Sequence, residues 1–278
     1  MLSQLILDIG SIWSKYGMVY LTGIGNTLLL AVTATLIGCV IGFACGILQT
    51  IPYTRTDLWI KRFLLKLIRI VIRIYVEVFR GTPMILQAVF IYYGLPYFTA
   101  NAVRFTDIWT VSILVVSINT GAYMAESVRG GIMSIDIGQT EGAKAIGMTH
   151  LQTMLYVILP QTLRNIMPQI GNNYIINVKD TSVMFIIGFQ DFFAVHKMVS
   201  GAVFKYFPSA MVEMVGYLTL TLVASFLLRK LEKKLEGKGN YELVNTDQLV
   251  MTAGTYSYPH GEAPFAEKNR EIGGGNNE

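Results

Sequence analysis

LTGIGNTLLLAVTATLIGCVIGFACGIL, residues 21–48, contains no Asp, Glu, Lys or Arg, and the charge-free run around it extends from Lys15 to Arg55. About 20 apolar residues in helical conformation cross the hydrocarbon of a bilayer. The stretch therefore reads as a membrane span. Composition agrees, because 53% of the 278 residues are hydrophobic and 14% charged, against about 25% charged in soluble domains. The run is too long for the apolar region of a secretory signal and no small-residue cleavage site follows it, so it is expected to stay as a helix. Cys39 and Cys45 lie six apart within it, off any shared helical face, and read as small packing residues with no metal or disulfide pattern.

Outward from this span the same test finds others. Gly81 to Val103 and Ile108 to Ala125 are also free of full charges. Lys179 and Asp180 interrupt the segment 165–190, and Glu213 lies inside the apolar run 206–230. The sequence thus predicts an all-α membrane protein of about five transmembrane helices, over residues 21–48, 67–98, 108–128, 165–190 and 206–230. Residues 64–79 mix apolar side chains with Lys66, Arg69, Arg73 and Glu77 at helical spacing, as for a helix rising from the membrane surface, and Pro83 should kink or restart it. Residues 1–17 form an external N-terminal segment, 18–236 the membrane domain, and 237–278 a polar, Gly- and Asn-rich tail with no core to bury, expected to be disordered.

Loop charge orients the spans. Arg55, Lys61, Arg62, Lys66, Arg69 and Arg73 precede the second span against Asp57 alone, and Arg229, Lys230, Lys233, Lys234 and Lys238 follow the fifth. Such loops face the cytoplasm. The loops holding Arg104 with Asp107, and Asp191 with Lys197 and Lys205, are nearly balanced. The N-terminus is then outside and the C-terminus inside, consistent with an odd number of crossings. The net charge of +4 is carried beside the spans, where anionic lipid and topology account for it, and no nucleic-acid partner follows.

One non-spanning segment is different. Residues 138–160 are too polar to cross, yet read as two short helices around a turn at Gly147, with Glu141 placed in a first helical turn. Glu141, Gly142, Ala143 and Gly147, closed by Ile158, Leu159 and Pro160, resemble the cytoplasmic EAA loop of the permease subunits of type I ATP-binding cassette importers. Gly142 replaces the family's usual Ala, and Ile158 and Leu159 are adjacent. Gly23, Asn26 and Thr27, then Glu77, Phe79 to Pro83 and Gln87, then Ala122, Tyr123, Ala125, Glu126 and Arg129 to Gly131, and finally Lys179 to Ser182 with Gly188, resemble the polar amino acid subfamily. The resemblance covers roughly residues 17–232. It implies a bacterial cytoplasmic membrane protein without an ATPase site, whose loop docks on ABC ATPase subunits. It also implies a second permease subunit, an extracellular or periplasmic substrate-binding protein and an amino acid substrate, with no cofactor.

Substrate-path candidates are polar groups at span depth. Gln169, Asn173, Asn177 and then Asp180 or Thr181 recur at helical spacing, giving the fourth span one polar face. A charge within a span faces a partner or a water-filled cavity. Asp180, beside Lys179, is the candidate for the substrate amino group, with Thr181 or Ser182 for the carboxylate; interhelical hydrogen bonding is the alternative role for this face. Gln87 and Tyr123 are further candidates, Tyr123 also suiting packing. Glu77 and Arg80 are spaced to form an ion pair, Glu126 is expected to pair with Arg129, and Glu213 has no evident partner. His150, His196 and His260 lie apart from other ligand types, and no catalytic triad or nucleotide loop occurs, so the energy source is another chain. An ion-coupled secondary amino acid carrier is the alternative function; it calls for inverted halves with broken helices, and no internal repeat is seen.

Overall fold

A computed structural model describes residues 2–236, all of whose regular structure is helical. The expected tail, 237–278, lies outside the described residues. Helix α1 runs unbroken over Leu2–Thr50, so residues 2–17 are the first turns of the helix that holds the first predicted span. Next come α2 (Trp59–Gly81) and α3 (Met84–Phe98), then α4 (Ile108–Met133), the short α5 (Ile137–Ala145), α6 (His150–Ile187), α7 (Phe192–Val203) and α8 (Tyr206–Glu236).

Among the described residues three helices are long and apolar enough to cross a membrane, α1, α4 and α8, with a fourth if α6 and α7, bent by 55° at their junction, make one span. The sequence predicts five, and three or four meet this test. The second predicted span, 67–98, is two helices, because Pro83 has no amide to continue the ladder from α2. α2 is also too charged to qualify alone, and α3 is too short.

Prolines shape two further places. Phe90–Gly94 and Met154–Ile158 are π turns, and a Leu-Pro pair follows each, Leu95-Pro96 and Leu159-Pro160. A proline ring clashes with the carbonyl four residues earlier. Here those carbonyls belong to Tyr92 and Tyr156, both inside the widened turns. Pro160 therefore bulges α6 instead of interrupting it.

The main contact is α1 on α4, and small residues make it possible. Gly38, Gly42 and Gly46, one per turn, face Thr120, Met124 and Val128, also one per turn. A Cβ added at Gly42 would lie 2.2 Å from the Met124 Cβ. In lipid no hydrophobic force drives helices together, so close backbone approach and interhelical hydrogen bonds do. The buried Asn177 of α6 supplies such bonds, donating its amide to the hydroxyls of Thr35 on α1 (2.8 Å) and Thr120 on α4 (2.9 Å).

Beyond that contact, the N-terminal half of α1 packs with α7 and α8 around Ile12, Tyr20, Phe192, Val195 and Val199. Asp191 caps α7, accepting from the amides of Phe193 (3.2 Å) and Ala194 (2.9 Å) and from the Tyr217 hydroxyl (3.2 Å). Ser209 bridges Tyr20 (2.6 Å) and His196 (2.8 Å). Glu213 does have a neighbour, since its carboxylate lies 3.7 Å from the second ring nitrogen of buried His196. In the loop before α4, Asp107 caps that helix. The Thr110 hydroxyl, with the amides of Thr110 and Trp109, holds its carboxyl below the ordinary carboxylate range.

Candidate functional site

The break between α2 and α3 is where polar groups gather. Pro83 leaves the carbonyl of Phe79, four residues earlier, without its helical donor. That carbonyl accepts instead from the side-chain amides of Gln87 (2.9 Å) and Asn119 (3.1 Å). Gln87 also donates to the Thr82 carbonyl and hydroxyl, each at 3.0 Å, and its own oxygen accepts from Asn119 at 3.0 Å. A helix break inside a membrane persists only where side chains satisfy the freed backbone. Gln87 is therefore a brace behind the break. Gln87→Leu is expected to cost about 2 kcal/mol by orphaning these acceptors, visible as a lower detergent-unfolding midpoint; an unchanged midpoint would deny the brace.

In front of the break lies a cavity of about 540 Å³, a size suited to a small ligand. Its wall includes Arg80, Thr82, Pro83 and Met84 from the break, Asn119, Thr120 and Tyr123 from α4, and Gln169, Asn173, Asn177 and Asp180 from α6. The Arg80 guanidinium pairs with Glu126 and stacks over the Tyr123 ring, 5.3 Å from its centroid. Neither expected ion pair forms: Arg80 reaches across to α4 instead of along its own helix to Glu77, and Arg129 turns to the Met133 sulfur at 3.2 Å, away from Glu126. Lateral approach of α2 to α4 decides this, and it is invisible in local spacing.

The substrate-path candidates separate accordingly. Asp180, Asn173, Asn177 and Tyr123 are in the cavity wall. Asn173 and Asn177 are largely buried there, and Asn177 is committed to Thr35 and Thr120. Lys179, on the adjacent and exposed position, is outside it. Thr181 is fully buried and donates to the Val178 carbonyl (3.1 Å). Ser182 follows it in the closing 3-10 turn, and neither hydroxyl lines the cavity. Arg80 and Asn119 take part although local spacing does not single them out for this role.

The second constellation is the segment 138–160. Asp136 caps α5 through the Gly138 amide (2.6 Å). Glu141 is thus in the second turn, not the first. The helix ends with the amides of Gly147 and Met148 bonded to the carbonyls of Lys144 (2.9 Å) and Ala143 (3.1 Å), and with Gly147 left-handed at φ 83°, the conformation a glycine adopts without strain. Thr149 and Gln152 then form a capping box that starts α6. Ala143 is buried, whereas Glu141, Gly142, Ile137, Ile146 and Leu151 are exposed. Leu159 and Pro160 continue α6 after the π turn. Exposed apolar side chains on a polar, non-spanning segment mark a contact surface. Among the described residues no three His, Cys, Asp or Glu side chains gather as a metal site requires.

Residues 57–237 match the model of the family described as binding-protein-dependent transport system inner membrane component. The chain is 34% identical over 229 residues to the glutamine transport system permease protein GlnP of Escherichia coli (strain K12), covering 82% of this chain and 98% of that protein. It is 30% identical over 216 residues to the arginine transport system permease protein ArtQ of Bacillus subtilis (strain 168), covering 78% and 92%. Among solved structures it resembles an amino acid ABC transporter crystallised with histidines, at 32% identity and TM-score 0.69 over 80% of this chain and 96% of that one. The inward-facing MetNI methionine ABC transporter, 18% identical, shares the fold at TM-score 0.62 over 80% and 98%.

Proposed function

This chain belongs to the family of binding-protein-dependent transport system inner membrane components, and on that footing we propose how it works as the permease subunit of an ATP-driven importer for polar amino acids. The chain has no catalytic role of its own; its partners hydrolyse the ATP. The substrate site is the cavity at the Thr82–Pro83 break, and the segment 138–160 is the contact through which ATPase subunits move it. The observation that carries this reading is the presence of both signs of charge in one cavity wall, Arg80 and Asp180, amid side-chain amides.

A free amino acid presents an ammonium and a carboxylate to its site. Asp180 accepts from the ammonium and Arg80 receives the carboxylate, exchanging its Glu126 partner for it. Asn119, Gln169 and Asn173 offer donors and acceptors to a polar side chain. Charged partners hold such a solute more strongly than neutral ones. The glutamine and arginine transport of the relatives supports an amino acid as substrate.

Five crossings complete the channel wall, the second formed jointly by the upper half of α2 and by α3, and the fourth by α6 with α7. The cations of residues 55–66 and 229–238 support a cytoplasmic position for those two segments, hence an outside N-terminus and an inside C-terminus. A second permease subunit closes the channel, two ATPases bind beneath, and a substrate-binding protein delivers from outside. ATP-driven closure of the ATPases draws the two α5 segments together, and the break at Thr82–Pro83 with the π turns of α3 and α6 absorbs the change in helix geometry.

Asp180→Asn in the reconstituted complex is expected to reduce amino acid uptake by roughly 10- to 100-fold, the equivalent of losing a charged hydrogen bond of about 1.5–3 kcal/mol. Lys179→Gln, outside the cavity wall, should leave uptake within about twofold. Wild-type uptake by the Asp180 variant would remove the cavity as the site.

A further inference from the structure

Helix α2 carries a row in which every member is charged. Arg62, Lys66, Arg69, Arg73, Glu77 and Arg80 follow at intervals of four, three, four, four and three residues, the rhythm that keeps side chains on one face of an α-helix. The row is roughly 27 Å long at 1.5 Å per residue. On one side of it Leu65, Ile72 and Val76 are buried against the rest of the chain. On the other, Phe63, Leu67, Ile70, Val71 and Ile74 form an exposed apolar face suited to lipid.

Depth along the row is set by the contacts of α2. Arg69 donates to the Ile51 carbonyl (2.5 Å), just past the end of α1. Tyr75 donates to the Ile118 carbonyl (2.6 Å), near the middle of α4, and Arg80 reaches the cavity wall. Topology alone accounts for cations at the cytoplasmic end, Arg62 and Lys66. It does not account for Arg73, Glu77 and Arg80, which are exposed and lie at the level of α4. Charges at that depth avoid lipid and face water or a partner.

We propose that this row is one wall of an aqueous passage between the cavity and the cytoplasm. Of its five cations Arg80 is already paired with Glu126, which leaves four against Glu77, so the row favours solutes carrying an exposed carboxylate and disfavours those with net positive charge. The substrate class is then a neutral or acidic amino acid rather than a basic one. The inference rests on the cavity being the substrate site and goes further, to the sign of the path that leads from it. A channel lined by one sign of charge with low-dielectric walls raises the local concentration of the opposite sign by about tenfold or more.

The test uses thiols placed on α2 of the complete, nucleotide-free transporter in nanodiscs, with Cys39→Ala and Cys45→Ala as background. Glu77→Cys and, separately, Lys66→Cys are treated with anionic and cationic methanethiosulfonate reagents, and the rate ratio is normalised to a free thiol. The expected result is a preference for the anionic reagent of about tenfold at both positions, falling toward one when Arg73→Gln is added. Val71→Cys, on the apolar face, should react with neither. Absence of reaction at position 77 would put the row against lipid or a second subunit and overturn the proposal. Equal rates with the two reagents would overturn it as well. Neither outcome depends on uptake by the Asp180→Asn variant, so failure of the passage is distinguishable from failure of the cavity.

Discussion

Gly42→Val is expected to keep the chain from reaching its native packing, with a stability loss at or above the upper end of the ~1–3 kcal/mol typical of overpacked sites. At Gly42 the new Cβ alone would meet the Met124 Cβ at 2.2 Å, the Met124 carbonyl carbon at 2.8 Å and the Ala125 amide nitrogen at 3.0 Å. Two of those atoms are backbone. No rotamer change relieves them, so α1 and α4 must separate along their longest shared contact, and the bonds from Asn177 to Thr35 and Thr120 go with it. Gly25 lies on the same helix, and a Cβ added there would have no atom within 4 Å, so Gly25→Ala should be neutral or stabilise the helix by about 0.5–1 kcal/mol. Folded fraction against temperature in detergent distinguishes the two substitutions. Equal curves for the two variants would show that the glycine row does not set the α1–α4 distance.

Glu141→Lys is expected to abolish the response of ATPase activity to substrate while leaving the subunit folded. Glu141 is exposed on α5, so reversal of its charge should change stability by no more than about 0.5 kcal/mol. Any large effect must then come from what docks there. In the proposed ATPase contact a cation at that position would meet a surface complementary to a carboxylate, and like-charge juxtaposition at an interface costs several kcal/mol. Gly147→Ala probes the turn beside it. Space is open at that position, with φ at 83°, so the penalty is conformational, about 1–2 kcal/mol, and coupling should weaken without vanishing. The measurements are ATP hydrolysis with and without substrate-loaded binding protein, and uptake in the same vesicles. Normal stimulation in the Glu141 variant would place the contact elsewhere on the chain.

Much of the candidate coupling segment was legible because its landmarks are local. A glycine at a helix end acts within a few residues, and α5 ends at the Gly147 turn; the Thr149–Gln152 capping box was not read from the sequence, and α6 runs on through Pro160 rather than forming a second short helix. The cavity was legible only in part. Asp180 and the asparagine face of α6 stand out by period, but Arg80 looked like half of a local pair with Glu77. Its actual partner, Glu126, lies far along the chain, in a helix whose approach no local rule supplies. Gln87 was legible as polar at depth, yet not as the brace for a carbonyl that Pro83 strands.

Span counting shows the same division. That helices cross a membrane follows from the residues alone, since a charge-free run longer than the hydrocarbon thickness has no other low-energy environment, and loop cations favour one orientation. Assembly of the bundle was needed to learn that α1 continues far beyond its apolar core and that α2 and α3 are separate. It also set the bend of 55° between α6 and α7. Transfer of a side chain between water and lipid depends on that side chain, so it can be summed along a sequence. Close packing of Gly42 on Met124, or pairing of Arg80 with Glu126, depends instead on the distance between two helices, which the other helices around them fix.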